Sequence, residues 1–191
     1  MAENDGHRAV FTPINCSPTP YITGGNLPYR YDLVSFHFHH LSEHTVNGNH
    51  YPLEVHFVLT RHGKPLSTTI TDTTSTQAAA IAVFFKRGSE PTPIDPLVQA
   101  MQTILPASGN TATVKSYDIS SLLPKNKSLY YRYKGSLGEG PPCNEAFLWT
   151  VMKQTKPVTQ SQIDLFTQLN KNVDNGYPFN NRQFSQRMNM P

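Results

Sequence analysis

Two short runs constrain this chain more than any bulk property: Phe36-His37-Phe38-His39 and Leu53-Glu54-Val55-His56-Phe57-Val58. Side chains two residues apart on a β-strand share a face, so His37 and His39 aim two imidazoles into one space while Phe36 and Phe38 turn the other way. If the second run pairs beside the first, about 4.8 Å away, His56 reaches the same point. The residues alone leave two readings. One is a structural histidine cluster, since the chain has eight histidines and a strand histidine commonly holds no metal. The other is a zinc site with three neutral nitrogens and one open position, the pattern of catalytic sites; structural sites close all four positions and favour thiolates. Glu54, two residues before His56 and on its face, supports the second reading, because a carboxylate fixes the tautomer of a metal-bound imidazole.

The remainder reads as one strand-rich domain over residues 1–191. With 37% hydrophobic residues the chain has material for one substantial core. Sixteen prolines and eleven glycines punctuate strand candidates near 32–39, 53–59, 78–86, 129–134 and 146–153. Asp95-Pro96 before Leu97, Met101, Ile104 and Leu105 predicts a capped helix with proline at its first position. Thr159 with Gln162 predicts a capping box opening a helix through Ile163, Phe166 and Leu169. Residues 68–77, rich in Thr and Ser, read as a loop. The net charge of +3 is mildly basic. Lys and Arg are scattered, with only Lys86-Arg87, Lys125 and Lys127 close together, so the pattern fits a solvated surface rather than a nucleic-acid interface. No run approaches the 18 or more apolar residues of a membrane span, and the polar stretch Met1 to His7 lacks the apolar segment of a signal peptide. Asn15-Cys16-Ser17 and Asn126-Lys127-Ser128 fit the glycosylation acceptor pattern.

The ordered motifs resemble those of the α-class carbonic anhydrases. Phe36 to His39, Ser42-Glu43-His44-Thr45-Val46-Asn47-Gly48 and Tyr51 to Val58 are similar to the metal-binding core of that family. Asn4-Asp5-Gly6-His7, Ile22 to Pro28, Tyr133 to Leu137, Pro141 to Glu145, Trp149-Thr150-Val151 and Asn180-Asn181-Arg182 resemble further signatures in the same order. The resemblance implies a mainly β fold, with a large, mostly antiparallel twisted sheet and a few short peripheral helices. It implies Zn2+ on His37, His39 and His56, with Glu54 behind His56, and reversible hydration of CO2 to bicarbonate. Glu43 matches the glutamate of the hydrogen-bond relay, His7 the proton shuttle, and His44 with Tyr133 a buried polar pair behind the metal. Val58, Ala80, Leu137 and Trp149 match the apolar side of the cavity that receives CO2. Three neutral ligands leave zinc its full charge, which lowers the pKa of bound water from 15.7 to about 7. Family habit suggests a secreted or periplasmic setting.

The departures from the family pattern bear on activity. After Gly135-Ser136-Leu137 the family carries two threonines before Pro-Pro, whereas this chain reads Gly138-Glu139-Gly140. The first threonine would accept a hydrogen bond from the nucleophile and donate to Glu43; Gly138 has no side chain to do either, so metal binding is expected to outlast turnover. A carbonic-anhydrase-related binding, storage or matrix protein of low activity is the competing reading. His40 faces away from the ligands if the strand continues, which places it at the rim or surface. The match begins about a quarter of the way into a typical family domain; absence of the usual amino-terminal arm would expose a sheet edge suited to pairing with a second copy. Cys143 then lacks its usual partner, and Cys16 and Cys143 are expected as free thiols. Replacing Gly138 with Thr is expected to raise the CO2 hydration rate by up to about 10², the usual worth of one oriented active-site hydrogen bond, as read by stopped flow.

Overall fold

The computed structural model describes residues 1–69, 76–136 and 147–169. Its elements run in the order β1 (Ala2–Asn4), β2 (Ala9–Phe11), β3 (Tyr21–Ile22), β4 (Tyr31–His39), β5 (Thr45–Val46), β6 (Asn49–His50), β7 (Leu53–Arg61), α1 (Leu66–Thr69), β8 (Ala78–Arg87), α2 (Val98–Ile104), β9 (Thr111–Ala112), β10 (Tyr130–Gly135), β11 (Phe147–Met152), β12 (Lys156–Val158) and α3 (Gln160–Leu169). Among the described residues ten strands form one sheet, whose main path is β10-β11-β8-β7-β4-β2-β1-β9. Most pairs are antiparallel, as expected; β11 and β12 both run parallel to β8. Among the described residues no helix is long and apolar enough to cross a membrane.

The central strands β7 and β8 are buried on both faces over Leu53–Thr60 and Ala78–Phe85, which explains the unbroken apolar run of β8; in β7 the run is interrupted by Glu54, His56 and Thr60. One face carries the larger core. There Phe36 and Phe38 meet Phe11, Phe57 and Phe85 beneath α2 and α3, and Phe166 of α3 lies 4.7 Å from Phe38 between ring centroids. The other face holds a smaller cluster of Val58, Ala78, Ala80, Ala82, Phe84, Phe147, Trp149 and Val151.

A register shift divides β4. Leu33 pairs with Leu59, but Ser35 pairs with Val58, so Val34 and Ser35 together oppose a single residue. This β-bulge reverses which parity points where. Tyr31 and Leu33 before it, and Phe36 and Phe38 after it, all join the larger core, which leaves His37 and His39 on the opposite face.

The capping box forms as its sequence predicts: Thr159 N–H donates to Gln162 Oε1 at 3.1 Å and Gln162 N–H donates to Thr159 Oγ1 at 3.3 Å. Gln162 also donates to Asp95 Oδ1 at 2.6 Å, which ties α3 to the turn preceding α2. Asp95 does not cap α2. It opens a separate 3-10 turn, Asp95–Leu97, and accepts from Thr92 N–H and Oγ1 at 2.9 and 2.8 Å; a threonine three residues upstream outcompetes the first-turn amides. Most of residues 68–77, read from sequence as a loop, lie outside the described residues, though Leu66–Thr69 is helical.

Truncating the ring at the junction of β4, β8 and α3 tests this packing. Phe38→Ala is expected to lower stability by about 3–5 kcal/mol through the cavity it leaves, measured as a reduced urea midpoint with an unchanged m-value.

Candidate metal centre

The β4–β7 register sets His37 directly across from His56, and His39 across from Glu54. All three imidazoles are buried. Their ring centroids lie 4.8 Å apart for His37 and His39, 5.5 Å for His37 and His56, and 4.4 Å for His39 and His56. One ring nitrogen from each falls within 4.8 Å of the other two. The next strand makes room: Ala82 pairs with His56 and Ala80 with Val58, so methyl groups stand where larger side chains would fill the space. Burial, followed by the charges of His39, Arg8 and His56, holds the pKa of His37 well below the usual imidazole value. His37 is therefore neutral at neutral pH, the form that ligates a metal.

A second group of potential ligands, His44, Glu54 and His56, is equally compact but is paired within itself. His44 Nδ1 lies 2.5 Å from Glu54 Oε1 and His44 Nε2 lies 2.7 Å from the Tyr133 hydroxyl, while the His44 backbone N–H donates to Glu54 Oε2 at 2.9 Å. Both nitrogens of His44 are thereby occupied. Burial raises the pKa of the fully buried Glu54, but the neighbouring His44 and His56 outweigh it and hold the carboxyl well below its ordinary range. Glu54 Oε1 also lies 3.1 Å from His56 Nε2, in poor alignment for a hydrogen bond. With Nε2 turned toward Glu54, His56 presents Nδ1 to the space shared with His37 and His39. An all-imidazole set without thiolates, backed by a carboxylate, fits a catalytic zinc ion.

Glu43 borders the triad: its carboxylate oxygens lie 3.6 Å from His39 Nδ1 and 3.8 Å from His56 Nδ1. Tyr133, Trp149, Ala80 and Val58 form one row across β10, β11, β8 and β7. In that row Val58, Ala80 and Trp149 are buried beside the imidazoles, and the Trp149 ring stands 4.8 Å from His56. Leu137 and Gly138 lie outside the described residues. His7 is exposed in the turn between β1 and β2, its N–H donating to Asp5 Oδ1 at 2.8 Å. His40, expected at the rim or surface, is instead buried. Arg8, which sequence reasoning passed over, is held by Asp5 at 3.2 Å and contributes to the field on His37; nothing in its local sequence signals that reach.

The low pKa of His37 fixes a sign for stability. In metal-free protein the unfolded chain takes up a proton near pH 6.5 and the folded chain does not, so the contribution of His37 is complete above pH 6.5 and falls as pH drops below it, by up to about 1.4 kcal/mol per pH unit. Glu54, whose pKa is depressed, contributes stability that is lost only at more acid pH, below the ordinary glutamate range. Urea midpoints of chelator-treated protein are expected to be lower at pH 5.5 than at pH 7.5, with the difference reduced in His37→Asn.

The family model described as eukaryotic-type carbonic anhydrase matches residues 1–189. The chain is 32% identical to human carbonic anhydrase 12 over 170 residues, covering 85% of this chain and 46% of that protein. It is 30% identical to a carbonic anhydrase of Neisseria gonorrhoeae over 166 residues, covering 86% and 57%. Among solved structures it is similar to the α-carbonic anhydrase of Thermovibrio ammonificans, determined in complex with the inhibitor sulfanilamide, at a TM-score of 0.70 and 31% identity over 89% of this chain and 66% of that one. The chain thus spans about half to two thirds of the length of these three proteins. Sequence, fold and neighbours agree that it belongs to the α-class carbonic anhydrase family.

Proposed function

We propose that this chain, as a single α-carbonic-anhydrase-like domain, holds Zn2+ on His37, His39 and His56 and catalyses the reversible hydration of CO2 to bicarbonate and a proton. The observation that carries the reading is the convergence of three buried imidazoles from two paired strands on one point. Zinc bound by three neutral ligands supplies a water acidified enough to act as a nucleophile at neutral pH.

The protein's own part divides among the surrounding residues. Val58, Ala80 and Trp149 offer CO2 an apolar wall beside the imidazoles and exclude water from that side. Glu54 stands 3.1 Å from His56 Nε2, where a metal-bound imidazole would donate to it, and is itself held by His44, which Tyr133 anchors from β10. Glu43 places an acceptor between His39 and His56, positioned to orient the attacking group. His7, exposed in its turn, passes the released proton to buffer.

One sequence observation favours a second reading, a weakly active or inactive relative that binds rather than turns over: Gly138 replaces the hydroxyl-bearing residue of the family pattern. Metal content and stopped-flow hydration separate the two. Wild-type protein is expected to carry one zinc per chain and to hydrate CO2, and His56→Ala to lose both. One zinc per chain with no hydration transfers the assignment to the binding-protein reading, whereas wild type without zinc removes the metal site itself.

A further inference from the structure

Lysines scattered through the sequence gather at one end of the sheet. Lys86 from the end of β8, Lys125 from the turn before β10, Lys153 from the end of β11 and Lys156 from β12 line a single open groove of about 740 Å³. None of the groove's lining residues is acidic. Among the described residues, no carboxylate lies within ion-pair distance of any of these four ammonium groups. The scaffold holds the like charges together: β12 pairs with β8 so that Lys156 sits across from Phe85 and Pro157 across from Lys86, and Lys153 N–H donates to Leu129 O at 3.0 Å. Lys153 Nζ rests 4.0 Å above the Tyr131 ring. Partial burial and then the charge of Lys125 lower the pKa of Lys156, as expected where cations crowd without a counter-ion.

Four cations on fixed backbone form a positive field that a multiply charged anion relieves. Four charges around one open groove of this volume match a chain bearing repeated anionic groups better than a single small ion. The site is built from lysines, compact point charges, with no arginine fork. Between the lysines lie neutral donors and acceptors: Gln154, Thr155 and Asn126, the last with its Oδ1 turned to Ser128. Such groups suit sugar hydroxyls. Tyr51, the aromatic lining residue, is already stacked on Phe84 at 4.6 Å, which disfavours the base-stacking platform of a single-strand nucleic-acid groove.

We propose that this groove binds a sulfated polysaccharide, its anionic groups on Lys86, Lys125, Lys153 and Lys156 and its hydroxyls on Asn126, Gln154 and Thr155. The test is fluorescence anisotropy of the full chain with a labelled heparin-derived hexasaccharide across a sodium chloride series. Wild type is expected to bind saturably at low salt. The Lys86→Ser/Lys153→Ser pair should bind at least tenfold more weakly, with the slope of log Kd against log salt reduced by about one per lysine removed. Lys64→Ser/Lys115→Ser, which removes the same net charge from exposed positions outside the groove, should bind as wild type does. Urea midpoints matching wild type in both pairs confirm intact folds. Absence of saturable binding, equal weakening by both pairs, or tighter binding of a single-stranded oligonucleotide of equal charge would each overturn the proposal.

Discussion

The structure turns on one antiparallel pairing. Because β4 and β7 meet with His37 across from His56, two strands deliver three imidazoles to one point, and the ladder of main-chain hydrogen bonds fixes their spacing before any metal contributes. Slipping that pairing by one residue would carry the whole histidine set to the opposite face, among the phenylalanines. Val58 and the buried carboxylate of Glu54 lie on β7 itself, and the β7–β8 and β8–β11 registers carry the apolar row outward through Ala80 to Trp149.

A buried carboxylate is costly unless its charge is compensated. Glu54 meets that condition with a backbone N–H, the ring of His44 and the nearby ring of His56. Through Tyr133 the chain of contacts reaches β10, two strands beyond β8. Gly135 belongs to the same arrangement. A Cβ there would stand 2.7 Å from the Tyr133 ring and 3.2 Å from Trp149, so only glycine lets those two rings stack at 6.1 Å.

Much of this was legible in the residues. Period-two alternation announced β4 and β7 and the shared direction of His37 and His39, and the Thr159–Gln162 capping box formed as written. The pairing of His44 with Tyr133, 89 positions away, was accessible only through family resemblance, since no local pattern encodes a contact across that distance. Other features escaped sequence reading for identifiable reasons. Asp95 looked like a helix cap, yet Thr92 provided nearer donors. His40 was assigned to the rim by alternation, but β4 ends at His39 and alternation no longer governs its direction. The four groove lysines come from positions between 86 and 156 and become neighbours only when β12 closes against β8.

The bulge at Val34 and Ser35 contains no glycine or proline to announce it, yet it gives β4 two phases joined at one point. Upstream of it odd-numbered residues are the oily ones; downstream the even-numbered residues are. The strand is therefore a counted object, like a ratchet with one doubled tooth. The number of residues between Leu33 and Phe36 is fixed as a unit, because losing one would trade the greasy layer and the histidine face for each other along half the strand.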